Sequence, residues 1–291
     1  MAKTRLQVAK KDIEALFSSL QSKVLRLADI ARILDENRAG WRLARTLSVR
    51  AFVEFVLHQS QLKRIAMHFP SRTETRYAWK DIPLYSVALS LRPKSYFTHY
   101  TAMYLHHLTD QVPRTIYVNS EQPAKPSGES GLIQSRIDMA FRSRPRTSRT
   151  VAEIGDQRIC LLNGMHTGQL GVVDLPAPDG SAARATGLER TLIDVAVRPF
   201  YAGGVSQVLK AYEVAGGRAS VNRMAAYLKA LKYIYPYHQA IGFYLERSGA
   251  YDKEAVALME QFPMNYDFYL THQIGQKDHS DRWRLYFPKG L

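Results

Sequence analysis

Apolar residues recur at helical spacing in three short segments near the start of the chain. The first predicts a helix over about residues 10–20, with an apolar face formed by Ile13, Leu16, Phe17 and Leu20. The second repeats the pattern at Leu27, Ile30, Ala31 and Leu34, and Asn37 to Gly40 break it. The third is predicted to begin after Ser48, a favourable N-cap, and to bury Val49, Phe52, Val53, Val56 and Leu57.

Residues 62–79 change from helical spacing to two short apolar runs. Pro70 to Glu74 interrupt these runs, which is typical of a β-hairpin with its tip at that point. Helices followed by a strand, a turn and a strand are the plan of a winged helix-turn-helix. That module places one helix in a DNA groove and a loop on the adjacent backbone. We therefore expect a winged helix-turn-helix DNA-binding domain over residues 1–82.

The remainder predicts a larger mixed domain over residues 83–291. A helix is expected after Pro83, and another from the cap Ser95 to Leu108. Strands are expected at 115–118, 158–162 and 169–175, a loop at 121–131, and either helix or strand at 133–141. Thr186 and Glu189 have the spacing of a capping box, and further helices follow. The predicted fold class is α+β: a winged helix-turn-helix, then a helix and a small sheet to about residue 180, then a mainly helical half.

Charge is the second strong signal. The 291 residues carry a formal net charge of +14, and residues 1–80 alone hold 16 Lys+Arg against 7 Asp+Glu. This concentration of positive charge indicates a polyanionic partner. Hydrophobic content of 46% is that of a folded protein, and no apolar run approaches the length of a membrane span. The start has no signal-peptide pattern, and the single Cys160 fits a reducing cytoplasm.

Double-stranded DNA is therefore the predicted partner, and two groups of residues are the predicted contacts. Around the start of the third helix, where this module enters the major groove, they are Arg45, Thr46, Ser48 and Arg50. In the wing, where contact with the backbone or minor groove is expected, they are Lys63, Arg64, Arg72, Thr73 and Arg76. A second basic cluster either extends the DNA surface, contacts RNA or forms a mobile loop; it comprises Arg142, Arg144, Arg146 and Arg149.

Catalytic patterns are weak. The sequence lacks the glycine-rich phosphate loops, the H-E-x-x-H pattern and the nucleophile elbow. His99, His106 and His107 have no carboxylate or cysteine to complete a metal site, and Cys160 has the apolar neighbours of a buried, inert thiol. Glu189 and Asp194 are expected to cap or form ion pairs with Arg190 or Arg198. The aromatic run 233–237 either stacks bases or forms a packed corner. We predict no enzymatic activity, cofactor or metal.

Four stretches, in this order and spacing, resemble the AbiEi-type antitoxins of type IV toxin–antitoxin systems. They are the N-terminal helices and hairpin, residues 95–118 (Ser95-Tyr-Phe-Thr-His to Pro-Arg-Thr-Ile-Tyr-Val118), residues 188–199 (Leu188-Glu-Arg-Thr-Leu-Ile-Asp-Val-Ala-Val-Arg-Pro199) followed by Ala202-Gly-Gly204, and residues 239–249 (Gln239-Ala-Ile-Gly-Phe-Tyr-Leu-Glu-Arg-Ser-Gly249). The similarity covers most of the chain. The linker over residues 38–45 is longer and richer in arginine than is usual in this family.

The resemblance implies a transcriptional autorepressor that binds operator inverted repeats. It also implies an antitoxin whose C-terminal domain, residues 83–291, counteracts a nucleotidyltransferase-like toxin without forming a stable complex. Three alternatives remain: a stand-alone regulator without a toxin, a scaffold that binds RNA or protein, and a nucleic-acid-processing enzyme that uses the winged helix for targeting. The enzyme would bind a metal through Glu153, Asp156 and Asp174 near the predicted strands.

Overall fold

Three helices and a three-stranded sheet form the N-terminal region, from residue 4 to about residue 80. They are seen in a computed structural model, which describes residues 4–124, 131–178 and 180–291. The helices are α1 (Arg5–Ser19), α2 (Leu27–Asn37) and α3 (Val49–Gln59). The strands are β1 (Val24–Leu25), β2 (Leu62–Phe69) and β3 (Arg72–Trp79), antiparallel in the order β1-β3-β2.

The three predicted helices and the hairpin are confirmed. The apolar faces meet in one cluster whose fully buried members include Ile13, Phe17, Ile30, Leu34 and Phe52. Helix α1 begins earlier than the apolar pattern indicates because Thr4 and Gln7 form a capping box there. Ser48 caps α3 as predicted, and its hydroxyl accepts from the backbone N–H of Ala51.

A six-stranded mixed sheet follows, after the short helix α4 (Leu84–Leu89). Its strands are β4 (Tyr96–Phe97), β5 (Thr115–Glu121), β6 (Val151–Ile154), β7 (Gln157–Gly164), β8 (Val172–Pro176) and β9 (Ala182–Thr186). Their order is β6-β7-β5-β4-β9-β8, with parallel pairing between β5 and β7 and between β4 and β9. Helices α5 (His99–Leu105) and α6 (Gln134–Arg142) lie in the connections.

Two predictions in this region change. The expected helix from Ser95 to Leu108 is replaced at its start by strand β4, which pairs with β5 and β9, and α5 begins only at His99. The backbone of His99 has φ of +52°, a left-handed conformation that ends the strand abruptly. Residues 133–141, left open between helix and strand, are largely helical as α6. The predicted loop 121–131 contains residues 125–130, which lie outside the described residues.

The C-terminal part packs five helices against a small sheet. The helices are α7 (Leu188–Val197), α8 (Val205–Ala215), α9 (Val221–Leu231), α10 (Tyr237–Arg247) and α11 (Lys253–Ala257), with 3-10 turns at Pro199–Tyr201 and Leu258–Gln261. The strands are β10 (Phe268–Tyr269), β11 (Lys277–Ser280) and β12 (Leu285–Pro288), in the order β10-β12-β11.

The chain after residue 180 is mainly helical, as predicted, but it also contains four short strands that were not predicted. Strand β9 belongs to the six-stranded sheet, and β10 to β12 form a sheet of their own. The prediction that Thr186 and Glu189 form a capping box is wrong. Thr186 ends β9 and its hydroxyl bonds to that of Thr191, so Gly187 takes the N-cap position of α7.

One face of the β2–β3 hairpin packs against the six-stranded sheet. Met67 and Phe69 lie in the same apolar cluster as Phe97 and Ile116 of that sheet. This contact crosses the predicted domain boundary between residues 82 and 83, which falls in the connection before α4. The boundary stays a prediction, but the two sides share buried apolar surface, so the hairpin is held against the rest of the chain.

Candidate nucleic-acid interface

The segment that leads into α3 is held in place by its own side chains. Arg38 donates from Nη1 to the carbonyl oxygens of Ala44 and Leu47, at 2.9 and 3.0 Å. Trp41 and Leu43 are buried in the N-terminal cluster, and the Trp41 ring stacks on Phe52 with 5.8 Å between centroids. The arginine-rich linker is therefore anchored at both ends, and it fixes where α3 begins.

The start of α3 presents a basic, exposed group of side chains. Arg45, Thr46 and Arg50 are exposed, and Ser48 is exposed with a hydroxyl that caps the helix and can still donate its hydrogen. The partial positive charge of a helix N-terminus adds to these charges. Glu54, one turn further along the exposed side, lies 3.6 Å from His58. An anion is therefore favoured at the first turn of α3 and disfavoured beyond it.

The register of the β2–β3 hairpin assigns its side chains to two faces, because successive residues in a strand point to opposite sides. The first face, which we call the helix-side face, begins at the base of the hairpin with Leu62 and Trp79. This pair is buried against the helices. Along it, toward the tip, lie the cross-strand pairs Arg64 with Tyr77, Ala66 with Thr75, and His68 with Thr73. Arg64, Ala66, His68 and Thr73 are all exposed. This face therefore offers polar and basic groups to solvent.

The second face of the hairpin, which we call the sheet-side face, packs Met67 and Phe69 against the six-stranded sheet. Arg76 lies on this face and is only 4% exposed. Its guanidinium donates to the carbonyl oxygens of Thr75 and Ser90 and pairs with Glu74 at 3.2 Å. The prediction that Arg76 contacts DNA is wrong, because a buried guanidinium held by these partners cannot reach a phosphate.

Two further wing residues also share the sheet-side face. Arg72 is exposed, but its Nε lies 2.7 Å from the Glu74 carboxylate, which also pairs with Arg92. Lys63, at the base of the hairpin, is paired with Asp81. Both positive charges are partly neutralised and are turned away from Arg64 and Thr73. Of the predicted wing contacts, only Arg64 and Thr73 lie on the helix-side face.

His68 is the residue on that face that the sequence reasoning missed. Its Nδ1 lies 3.0 Å from the Thr73 hydroxyl across the hairpin. The signal was present in the sequence, because His68 is two and four residues from Ala66 and Arg64 in one strand. The candidate surface is therefore formed by Arg45, Thr46, Ser48, Arg50, Arg64, His68 and Thr73.

The second basic cluster is divided by the structure. Arg144 and Arg146 line a cavity beside α6, whereas Arg142, in the last turn of α6, lines a different one with Tyr269 and Lys277. Arg149 is exposed and borders neither cavity. In the part of the chain that the structure describes, these four arginines form no ion pair. The four arginines therefore do not line a single cavity.

The polar residues considered for catalysis have structural partners. The Arg190 guanidinium lies 2.8 Å from the Asp194 carboxylate, which also accepts from the Thr98 hydroxyl at 3.0 Å. Burial opposes the charge on Arg190, but Asp194 raises the pKa of Arg190 above its ordinary value. Glu189 points elsewhere, and it accepts from the backbone N–H of Ser220. As expected, these two carboxylates form no acid–base pair with each other.

His99, His106 and Cys160 are buried. Burial lowers the pKa of His99 to about 4, and it lowers the pKa of His106, whose Nε2 lies 2.7 Å from the Thr186 carbonyl oxygen. Burial raises the pKa of the Cys160 thiol to about 11, so it is a poor nucleophile near neutral pH. Among the described residues, no group of three His, Cys, Asp or Glu side chains is arranged to hold a metal ion.

The carboxylates of the enzyme alternative do not meet. Glu153 lies on β6 and Asp174 on β8, which are the two edges of the six-stranded sheet. Five interstrand spacings separate them, or about 24 Å. Glu153 pairs with Arg158, and Asp174 lies 3.9 Å from Arg184. The metal site predicted for these residues is therefore wrong.

Comparison with known proteins gives a fold relationship. Neither a family model nor a curated protein matches the chain. Its structure is similar to the crystal structure of the RV2827C protein from Mycobacterium tuberculosis, with a TM-score of 0.61. The match covers 98% of this chain and 93% of that one at 12% sequence identity, which establishes a shared mixed α+β fold. Within the described residues, no helix has the length and apolarity needed to cross a membrane.

The burial of Arg76 leads to a stability prediction. Replacing Arg76 with alanine is expected to destabilise the protein by about 3 kcal/mol, because it breaks a buried ion pair and leaves carbonyl oxygens without donors. Replacing Arg64 with alanine, on the exposed face of the same hairpin, should change stability by less than about 0.5 kcal/mol. Urea unfolding of the two variants measures the difference. Equal losses would contradict the two-faced assignment.

Proposed function

We propose that this protein is a DNA-binding transcriptional autorepressor and an antitoxin of a type IV toxin–antitoxin system, acting in the cytoplasm. It binds operator inverted repeats through a winged helix-turn-helix and counteracts a nucleotidyltransferase-like toxin without a stable complex. The observation that carries the DNA-binding half is that two basic groups of side chains are open to solvent. The start of α3 and the helix-side face of the hairpin are both exposed and both positively charged.

The order of elements supports the winged-helix interpretation. The sequence α1, β1, α2, α3, β2, β3, with a sheet in the order β1-β3-β2, has a wing directly after the third helix. The chain between α2 and α3 is longer than the three or four residues of a simple helix-turn-helix. Arg38, Trp41 and Leu43 compensate for this length by anchoring the linker.

The proposed docking places the first turn of α3 in the major groove. There Arg50 is positioned to bridge the two acceptors of a guanine, and Arg45 and Thr46 approach the flanking phosphates. The hairpin then lies along the backbone with Arg64, His68 and Thr73 toward it. Glu54 limits how far α3 enters, since its carboxylate repels phosphate and favours only a cytosine amino group.

The antitoxin half of the proposal rests on the resemblance to AbiEi-type antitoxins. Three of the four stretches that carry it lie close together in the fold: residues 95–118 include β4, α5 and the first part of β5, and residues 188–199 include α7. The buried hydrogen bond from Thr98 to Asp194 joins these two stretches. Residues 239–249 include α10, whose buried residues share a core with those of α7. These three stretches therefore belong to one packed unit, and the fourth stretch is the N-terminal helices and hairpin, which have a core of their own.

The two faces of the hairpin supply a charge-matched test of DNA binding. Arg64→Ala should weaken binding to a duplex covering the promoter of the protein's own gene, and should lower the salt dependence by about one counterion because it contacts phosphate. Arg72→Ala removes the same charge from the sheet-side face and should leave affinity unchanged. Fluorescence anisotropy at several salt concentrations measures both. Equal effects of the two substitutions would refute the docking.

Arg50→Ala tests base recognition in the same titration. A lost guanine contact should cost about 1–3 kcal/mol on the operator and much less on an unrelated duplex. Equal losses on both sequences would assign Arg50 to the phosphates and remove it from sequence recognition. If the unsubstituted protein binds no duplex at all, the DNA-binding half of the proposal fails.

Repression and antitoxicity should separate in cells. The Arg50→Ala/Arg64→Ala protein should lose repression of a reporter driven by its own promoter, because both substitutions lie on the DNA surface. It should still restore growth when co-expressed with a nucleotidyltransferase-like toxin encoded beside it, because residues 83–291 are unchanged. Colony counts and reporter activity give the two readouts. Repression without any growth rescue by the unsubstituted protein would favour a stand-alone regulator instead.

A further inference from the structure

A cavity of about 580 Å³ lies beside the end of α6. Four arginines line it, and they come from three parts of the chain: Arg136 from α6, Arg144 and Arg146 from the segment after it, and Arg198 from the end of α7. The volume is in the range of about 300–1,000 Å³ that is typical of small-molecule sites. The fold therefore brings four positive charges from distant sequence positions to one concave place.

The charges of this cavity are not neutralised by the protein. Within residues 4–124, 131–178 and 180–291, none of the four arginines forms an ion pair, and the lining contains no carboxylate. Asp194, one turn before Arg198 on α7, is already paired with Arg190. By contrast, the Glu74 carboxylate at the hairpin forms ion pairs with Arg72, Arg76 and Arg92. Convergent like charges repel one another, and a bound anion would relieve that repulsion.

The same cavity has an aromatic wall formed by Phe200, Tyr235, Tyr237 and His272. The His272 ring is fixed, because it stacks on Phe141 at 4.4 Å and its Nδ1 lies 3.1 Å from the Ser143 carbonyl oxygen. Phe200 is half-buried, with its ring 6.4 Å from that of His272. Aromatic side chains held in this way offer surfaces on which a planar ring can stack without sequence preference.

We infer that this cavity binds one nucleotide unit, with its phosphate among the arginines and its base against Phe200. Positive charge alone would fit any anion, and an aromatic wall alone any planar ring. Their combination in one cavity fits a phosphorylated nucleoside. Two sources share this chemistry, a free mononucleotide and the unpaired 5′-phosphorylated end of a strand. The inference concerns residues outside the proposed DNA surface and does not rest on it.

Isothermal titration of the full chain distinguishes the sources. The probes are AMP, a 5′-phosphorylated single-stranded trinucleotide, and inorganic phosphate. We expect either AMP or the trinucleotide to bind more tightly than inorganic phosphate, and the tighter of the two identifies the source. Binding of none of the probes at millimolar concentration would overturn the inference.

Charge removal assigns the binding to this cavity. Arg144→Ala/Arg146→Ala should weaken nucleotide binding about tenfold or more, as expected when charged hydrogen bonds to phosphate are lost. Both side chains are exposed, and in the described part of the chain neither makes a hydrogen bond, so the variant should fold. The control Arg114→Ala/Lys253→Ala removes the same charge from exposed positions outside the cavity and should bind as the unsubstituted protein does. Equal weakening by both variants would show only a general charge effect and overturn the site.

Removing the ring of Phe200 tests whether the nucleotide base stacks on it. Phe200→Leu keeps an apolar side chain but removes the ring, so nucleotide affinity should fall about fivefold while inorganic phosphate binds unchanged. If Phe200→Leu leaves nucleotide affinity intact and phosphate binds as tightly as AMP, the cavity is a simple anion site and the nucleotide assignment is wrong.

Discussion

The burial of one face of the β2–β3 hairpin is the constraint on which the proposed interface depends. Met67 and Phe69 are buried against the six-stranded sheet, and each contributes about 2 kcal/mol through removal of apolar surface from water. Because side chains alternate along a strand, this contact also decides which side chains remain free. It puts Arg72 and Arg76 on the covered face, beside Glu74, and leaves Arg64, His68 and Thr73 exposed on the opposite face.

Positive charge consequently has two different roles in this protein. At the sheet-side face, Glu74 collects three arginines into a network that fastens the hairpin to the connection around Ser90 and Leu91. At the start of α3 and beside α6, arginines stand without such partners among the described residues. The net charge of +14 does not distinguish structural arginines from those available to a ligand. The ion pairs of each guanidinium do.

Local patterns predicted most of the N-terminal region. Helical spacing and the Ser48 cap predicted α2 and α3, and the interruption at Pro70 predicted the hairpin. The burial of Arg76 could in principle be predicted, since Arg76 lies on the same face of the hairpin as Met67. Predicting it required knowing that a second sheet covers that face. Strands β4 and β10 have two residues each and exist through pairing with distant strands, so no local pattern marks them. The cavity beside α6 also joins positions more than fifty residues apart.

The most direct test of the two-faced hairpin is site-directed disulfide crosslinking to a thiol-modified duplex. The native Cys160 is buried, and burial raises the pKa of its thiol, so it should contribute little crosslinking of its own. Ala66→Cys places a thiol on the helix-side face, and Arg72→Cys places one on the sheet-side face. We predict strong crosslinking through Ala66→Cys and little through Arg72→Cys. Preferential crosslinking through position 72 would contradict it.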